Sequence, residues 1–93
     1  MLKVNEYFGG SVKSIGVENE EGTATVGVME AGEYEFGTSS VEIMTITGGK
    51  LDVMLPGAEE WTAYPKGGIF EVEKNVKFKV RASAPVAYHC QYL

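Results

Sequence analysis

Short runs of alternating apolar and polar residues, separated by glycine- and proline-rich turns, follow one another along almost the whole chain. The clearest pair, residues 42–47 and 50–55, flanks Gly48-Gly49. A period of two turns one face of a strand toward a core and the other toward water. Two such runs joined by a Gly-Gly pair predict a β-hairpin. Because no segment shows a period of 3.6 residues, the pattern indicates an all-β chain.

The remaining runs extend this pattern from one end of the chain to the other. The further predicted strands are residues 11–17, 23–29, 33–36, 60–64, 69–73, 76–82 and 86–93. An acidic turn between the first two of these predicts another hairpin, and residues 5–8 are expected to form one helical turn at most. About nine short strands at this spacing predict a sandwich or a barrel. The length of 93 residues allows a single domain, residues 1–93.

The charge distribution excludes one class of partner. A net charge of −5 argues against general nucleic-acid binding, which needs a basic surface. The last third of the chain is nevertheless locally basic, through Lys74, Lys77, Lys79 and Arg81. Three of these residues alternate with Phe78 and Val80, which favours a solvated strand face. An anion site, for phosphate among others, is the alternative.

The single cysteine limits both redox chemistry and location. With Cys90 alone, no internal disulfide can form, which is compatible with a reducing cytoplasm. Cys90 is predicted to be a small buried core residue, and His89 beside it would point to the opposite face of a strand. No apolar run approaches the length of a membrane span, and the first eight residues lack the apolar core of a secretory signal. These features predict a cytoplasmic protein without a membrane partner.

Two segments of the chain resemble the two sequence motifs of the cupin superfamily. In the first, Gly49 stands seven residues after Glu42, and the places of the metal-binding His-x-His are held by Thr38 and Ser40. In the second, residues 65–70 follow the pattern Pro-x-Gly-x-x-His, with Phe70 in place of the histidine. The resemblance implies a small single-domain cupin, a β-barrel or jelly roll, without a metal. A metal-dependent cupin dioxygenase or isomerase conflicts with Phe70 and with the shortage of histidines.

When the whole chain is considered, it resembles one particular family within the cupin superfamily. The chain is similar to the bacterial pyrimidine/purine nucleoside phosphorylase family at residues 5–8, 12–16, 26–29, 32–34, 42–56, 64–72 and 88–93. This resemblance implies that a nucleoside and inorganic phosphate give the free base and (deoxy)ribose 1-phosphate. The implied substrates are uridine, adenosine, inosine, guanosine, cytidine, thymidine and xanthosine. Phosphate is then a co-substrate, and no cofactor is expected. The alternative is a non-enzymatic cupin that binds a small ligand.

Polar residues near the lost metal positions are the candidates for catalysis. Glu42 shares a strand face with Met44 and Ile46, so its carboxylate is predicted to point inward. Inside an apolar barrel it would accept from ribose hydroxyls and stabilise positive charge at C1′; a structural carboxylate is the alternative. Thr38 and Ser40 are candidates to donate to phosphate or sugar, and ordinary turn hydrogen bonding is the alternative for each.

Aromatic residues are the candidates for contact with the base. Phe36, Phe70 and Tyr88 are predicted to pack against it, since stacking on a flat ring tolerates different bases. Packing in the barrel core is the alternative for each ring. A homodimer is also expected, because a small barrel with an early hairpin and a long last strand has edges to cover.

Overall fold

The computed structural model describes all residues, Met1–Leu93, and forms ten strands. They are β1 Val4–Tyr7, β2 Val12–Asn19, β3 Gly22–Met29, β4 Gly32–Gly37, β5 Glu42–Gly48, β6 Lys50–Met54, β7 Thr62–Pro65, β8 Ile69–Val72, β9 Lys77–Ala82 and β10 Val86–Tyr92. The one helical element is a 3₁₀ turn, Phe8–Gly10. The all-β prediction is confirmed. The helical turn predicted at residues 5–8 is wrong for residues 5–7, which pair with β2 as part of β1.

Two antiparallel sheets face each other as a jelly-roll sandwich. The six-stranded sheet has the order β1-β2-β3-β10-β5-β8, and the four-stranded sheet has the order β4-β9-β6-β7. One core of 14 buried residues fills the space between them. The sheets do not close into a continuous barrel, so the jelly roll is the better description of the predicted fold. The helical turn is too short to cross a membrane.

The alternating pattern of each strand divides it between core and surface, as β9 shows. Phe78 and Val80 are buried, while the basic residues between and beside them are exposed. The Arg81 guanidinium lies 3.1 Å from Asp52 and 4.2 Å from the Trp61 ring centroid. The basic stretch of β9 is therefore a solvated face with local partners, and it points away from the core.

The Gly48-Gly49 pair does not close a hairpin, contrary to the prediction. β5 pairs with β10 and β8 in the large sheet, whereas β6 pairs with β9 and β7 in the small one. Gly49 adopts φ +82°, and a Cβ there would lie 2.9 Å from the Pro85 carbonyl oxygen. The pair thus turns the chain tightly from one sheet into the other. The hairpin predicted between β2 and β3 is confirmed, with Asn19 opposite Gly22.

The last strand lies inside the large sheet. β10 is hydrogen-bonded to β3 on one side and to β5 on the other. The open edges are β1 and β8 in the large sheet and β4 and β7 in the small one. The long last strand therefore offers no edge to a second copy, which corrects one reason for expecting a dimer.

Candidate active site

One cavity of about 120 Å³ opens between the two sheets beside the core. Eleven residues line it: Tyr7, Ser14, Met29, Phe36, Gly37, Glu42, Met44, Phe78, Val80, Tyr88 and Tyr92. Most are apolar or aromatic, and Glu42 is the only charged residue among them. A mostly apolar cavity with a few converging polar groups is the usual form of a small-molecule site.

The burial of the lining residues distinguishes the floor of the cavity from its mouth. The buried floor is formed by Ser14, Met29, Met44, Phe78, Val80 and Tyr88. The more exposed rim is formed by Tyr7, Phe36, Gly37, Glu42 and Tyr92. A ligand thus meets aromatic rings and one carboxylate at the entrance, and a tight apolar floor below.

Glu42 opens β5, opposite Tyr92 on β10 and Val72 on β8. Its side chain is half-buried and forms neither of the two salt bridges in the chain. The Cys90 thiol donates a hydrogen bond to Glu42 Oε1 at 3.4 Å. Burial raises the pKa of the Glu42 carboxyl above its ordinary value, and the hydrogen bond from Cys90 opposes that rise. Glu42 is therefore a carboxylate whose charge no protein cation neutralises.

The polar groups around Glu42 stay protonated at neutral pH. Burial and, to a lesser extent, the neighbouring Glu42 charge raise the pKa of Cys90 to about 12, so the sulfur remains a thiol donor. Burial also raises the pKa of Tyr88 to about 12 and raises the pKa of Tyr92. The Tyr92 hydroxyl lies 3.1 Å from the Thr25 hydroxyl. The carboxylate is thus surrounded by neutral donors.

The position of Tyr88 depends on the absence of a side chain at Gly27, its neighbour on β3. A Cβ at Gly27 would lie 2.5 Å from both Cζ and Oη of Tyr88. The ring therefore rests directly on the β3 backbone. Any larger residue at this position has to displace it.

The structure brings three of the six predicted site residues to one cavity. Glu42, Phe36 and Tyr88 line it, whereas Thr38, Ser40 and Phe70 do not. Phe70 is buried against Tyr64, with ring centroids 4.7 Å apart, and lies 6.5 Å from Phe78. Its ring therefore belongs to the core between the sheets.

Thr38 and Ser40 differ in how their hydroxyls are used. The Thr38 hydroxyl donates to the Glu73 carbonyl oxygen at 2.6 Å and accepts from the Val76 amide at 3.1 Å. It ties the end of β4 to the loop before β9, as expected for turn chemistry. The Ser40 hydroxyl is half-buried and forms no hydrogen bond within the chain. Of the two, Ser40 keeps a donor for a ligand.

Three polar lining residues were not among the predicted site residues: Tyr7, Ser14 and Tyr92. Tyr92 follows Tyr88 and Cys90 with a period of two, and this signal could have placed all three on one strand face. The proximity of Cys90 to Glu42 depends on the pairing of β10 with β5, strands that are far apart in sequence. Local patterning carries no information about that register.

Metal-binding side chains do not cluster in this structure. No group of three or more His, Cys, Asp or Glu side chains is placed to hold an ion. His89 alternates with the inward-facing Tyr88 and Cys90 and so lies on the other face of β10. One carboxylate and several hydroxyls supply the polar chemistry of the cavity, and the Cys90 thiol, which does not line it, donates to that carboxylate.

Comparison with known proteins gives consistent results. The family model described as "Pyrimidine/purine nucleoside phosphorylase" matches residues 2–92. A Pseudomonas aeruginosa protein of that name is 53% identical over 92 residues, 99% of each chain. The crystal structure of a Vibrio parahaemolyticus protein of unknown function has a TM-score of 0.96 and 43% identity, and covers 100% of this chain and 99% of that one. The cupin domain of Schizosaccharomyces pombe Cnp3, at 19% identity and a TM-score of 0.70, covers 98% of this chain and 69% of that one, and confirms the cupin fold.

Proposed function

We propose, since this chain belongs to the pyrimidine/purine nucleoside phosphorylase family, that its inter-sheet cavity is the site of phosphorolysis. An oxygen of inorganic phosphate bonds to C1′ of the sugar as the C1′–N bond breaks. The electron pair of that bond leaves with the base nitrogen, which takes up the proton that the attacking phosphate hydroxyl gives up. The products are the free base and ribose 1-phosphate.

The observation that carries this proposal is the unneutralised carboxylate of Glu42 at the mouth of the cavity. Cleavage of a glycosidic bond develops positive charge on C1′ and the ring oxygen, as in glycoside hydrolysis. A fixed negative charge in a partly dry site stabilises such a transition state, because it needs no reorganisation as charge develops. The same oxygens accept hydrogen bonds from ribose hydroxyls. Glu42 therefore both positions the sugar and stabilises the cation.

The hydroxyl groups of the cavity are the donors in this mechanism. Tyr88 and Tyr92 remain protonated, because burial raises the pKa of both phenols. They can donate to sugar oxygens without losing a proton. Cys90 holds the Glu42 carboxylate from the core side, at 3.4 Å, and leaves its outer oxygen for the substrate. Orientation of the reacting groups is the main contribution of such a site.

Phosphate is held, in this proposal, by neutral donors: the hydroxyls at the rim and the hydroxyl of Ser40, which lies outside the cavity lining and two residues before Glu42. No Lys, Arg or His lines the cavity, and the basic residues of β9 point away from the core. Thr38 is a positioning residue in this arrangement, because its hydroxyl is already bonded to the neighbouring loop. Phosphate acts as a co-substrate, and the mechanism uses no metal or organic cofactor.

A direct activity assay distinguishes this proposal from its alternative, a non-enzymatic cupin. Purified protein is incubated with each of uridine, adenosine, inosine, guanosine, cytidine, thymidine and xanthosine, with and without phosphate. We expect phosphate-dependent release of the free base and formation of a sugar 1-phosphate, unchanged by a chelator. Absence of turnover on all of these nucleosides would refute the phosphorylase and favour the non-enzymatic, ligand-binding cupin. Loss of turnover with chelator would instead require a metal.

We also propose a cytoplasmic location. The buried free thiol of Cys90 is its support, since a protein that folds without disulfides suits a reducing compartment.

We further propose that the protein forms a homodimer through the outer face of the large sheet. On β1, β2 and β3 this face carries exposed aliphatic side chains: Val4, Ile15, Val17, Val26 and Val28. Val26 and Val28 are 49% and 52% exposed. The charges on this face include the Glu6–Lys13 pair at 3.5 Å, which is neutral as a unit. Because each copy carries −5, two copies approach with least repulsion through such a face.

Val26→Glu is expected to convert the dimer to a monomer. The substitution places a charge opposite Ile15, within the apolar face, where a second copy would have to bury it. Sedimentation at micromolar concentration should give twice the chain mass for the wild type and the single chain mass for the variant. Thr62→Glu, an equal charge change on the exposed strand β7, should remain dimeric. A wild-type protein that sediments as a monomer would refute the dimer.

A further inference from the structure

The backbone of Phe8 stands out in the structure, since this bulky residue adopts φ +53°. Gly9 and Gly10, which follow it, also have positive φ. Left-handed backbone is unfavourable for an aromatic residue and persists only where its surroundings hold it. Residues held in this way are found preferentially at binding and active sites. The conformation of Phe8 therefore calls for an explanation in terms of where it puts the ring.

This conformation holds the Phe8 ring beside the mouth of the cavity. Its centroid lies 5.0 Å from that of Tyr34 and 5.4 Å from that of Phe36, a rim residue. The preceding residue, Tyr7, also lies on the rim and contacts Phe36 at 6.3 Å. The side chain of Phe8 is nevertheless 49% exposed. An aromatic ring packed against two others thus presents part of its surface to solvent at the entrance.

The size of the cavity shows which part of a nucleoside has to lie outside it. Sites that enclose a whole organic ligand measure about 300–1,000 Å³, and this cavity holds about 120 Å³. The family to which the chain belongs acts, by its name, on both pyrimidine and purine nucleosides. The sugar is common to all of them and suits the enclosed part beside Glu42. The base varies in size and has to project past the rim.

We propose that the face of the Phe8 ring is a stacking platform at the mouth for the base of the nucleoside, and that the Phe36 ring, at 89° to it, bounds this platform on one side. A flat ring accepts any base face, so one platform serves both one-ring and two-ring bases without a fitted pocket. The inference rests on the proposed function for the identity of its ligand. It assigns to Phe8 a binding role that its own backbone geometry and exposure support.

The test measures nucleoside binding without phosphate, so that no turnover is needed. Phe8→Asn removes the ring but keeps a residue that tolerates left-handed backbone. We expect the Kd for inosine to rise about five- to hundredfold, with a smaller rise for uridine because its single ring overlaps less. Binding of ribose 1-phosphate, which has no base, should remain unchanged. An unchanged Kd for both nucleosides would overturn the proposal, as would an equal loss for ribose 1-phosphate.

Phe8→Trp provides the complementary measurement in a Trp61→Phe background, which leaves one tryptophan as reporter. With tryptophan at position 8, the Kd for inosine should be close to the wild-type value and well below that of Phe8→Asn. Stacking of the base on the indole ring should quench the tryptophan fluorescence when inosine is added. An unquenched signal at saturating inosine would contradict stacking at this position. If the proposed phosphorylase function is wrong but the stacking platform is right, the wild-type protein will bind nucleosides without cleaving them in the presence of phosphate. A wild type that binds no nucleoside would overturn both.

Discussion

Glu42→Gln is expected to lower kcat by about 10²- to 10³-fold, the usual effect of removing one electrostatic contact to a transition state. The amide has nearly the same shape and can still accept a hydrogen bond from Cys90, so the fold should be kept. What is lost is the negative charge that faces C1′ of the sugar. Steady-state kinetics with inosine and saturating phosphate provide the measurement.

The stability of the Glu42→Gln variant should move in the opposite direction. Burial raises the folded-state pKa of Glu42 above its unfolded value, so the folded state favours the protonated form. The stability that this contributes is fully present below the unfolded pKa and is lost as pH rises through the folded pKa. At neutral pH the ionised carboxylate therefore opposes folding, and the glutamine variant should unfold at an equal or higher temperature. Thermal melts at pH 4 and pH 7 should show the difference only at the higher pH.

The pH dependence of the wild-type rate follows from the same shift. Because the ionised carboxylate is the active form, kcat should fall as pH drops through a pKa above the ordinary glutamate value. Glu71→Gln is a matched control, since Glu71 is an exposed carboxylate on β8, beside β5, and does not line the cavity. Its turnover should equal that of the wild type. Wild-type turnover in Glu42→Gln would remove Glu42 from the mechanism.

Gly27→Ala should reduce both stability and turnover. A Cβ at this position lies 2.5 Å from Tyr88 Oη, so the ring has to move by about 1 Å to restore ordinary contact. Inserting a methyl group into a packed core costs about 1–3 kcal/mol, and each kcal/mol lowers the Tm of a domain this size by roughly 4–8 °C. A displacement of that order at a site residue lowers kcat/KM by about 10²-fold. Calorimetry and kinetics on the same preparation test both effects.

Gly16→Ala is the matched control for this substitution. Gly16 lies on β2, the other neighbour of β3, and a Cβ there would meet no atom within 4 Å. The same chemical change should leave the free energy of unfolding within about 1 kcal/mol of the wild-type value, since it concerns a strand glycine with open space. If Gly27→Ala and Gly16→Ala behave alike, contact with Tyr88 is not what determines the residue at position 27.

Strand positions could be predicted from the sequence because burial of one face imposes alternation locally. Ser11 to Met29 illustrates this, since its hairpin and its inward residues Val12 and Met29 follow from a period of two. The Gly48-Gly49 turn shows the limit of that reasoning. Two glycines allow a tight reversal, but local chemistry does not determine whether the next strand returns to the same sheet or enters the other. That choice depends on which distant strands, β10 and β9, are available for pairing.

For the candidate site, too, the sequence predicts the direction of a side chain on its own strand but not its contacts with distant strands. The inward direction of Glu42 follows from its strand phase with Met44, and the structure places both at the cavity. The contact of Glu42 with Cys90 could not be predicted, because it requires the register between β5 and β10. The sequence motif around Thr38 indicated a lost metal position, yet the carbonyl oxygen of Glu73, 35 residues away, accepts its hydrogen bond. Such long-range partners are set by the topology and have no local signal.

The central position of β10 has a consequence for how the protein is made. β3 and β5 are synthesised long before the strand that joins them, so the large sheet cannot be completed until β10 has left the ribosome. Until then, both strands expose unpaired edges that can pair with other chains. Tyr88, Cys90 and Tyr92 all come from β10, so the surroundings of Glu42 form in this last step. A nascent chain without β10 therefore has neither the complete sheet nor the cavity, and the pairing that covers the facing edges of β3 and β5 also completes the surroundings of Glu42.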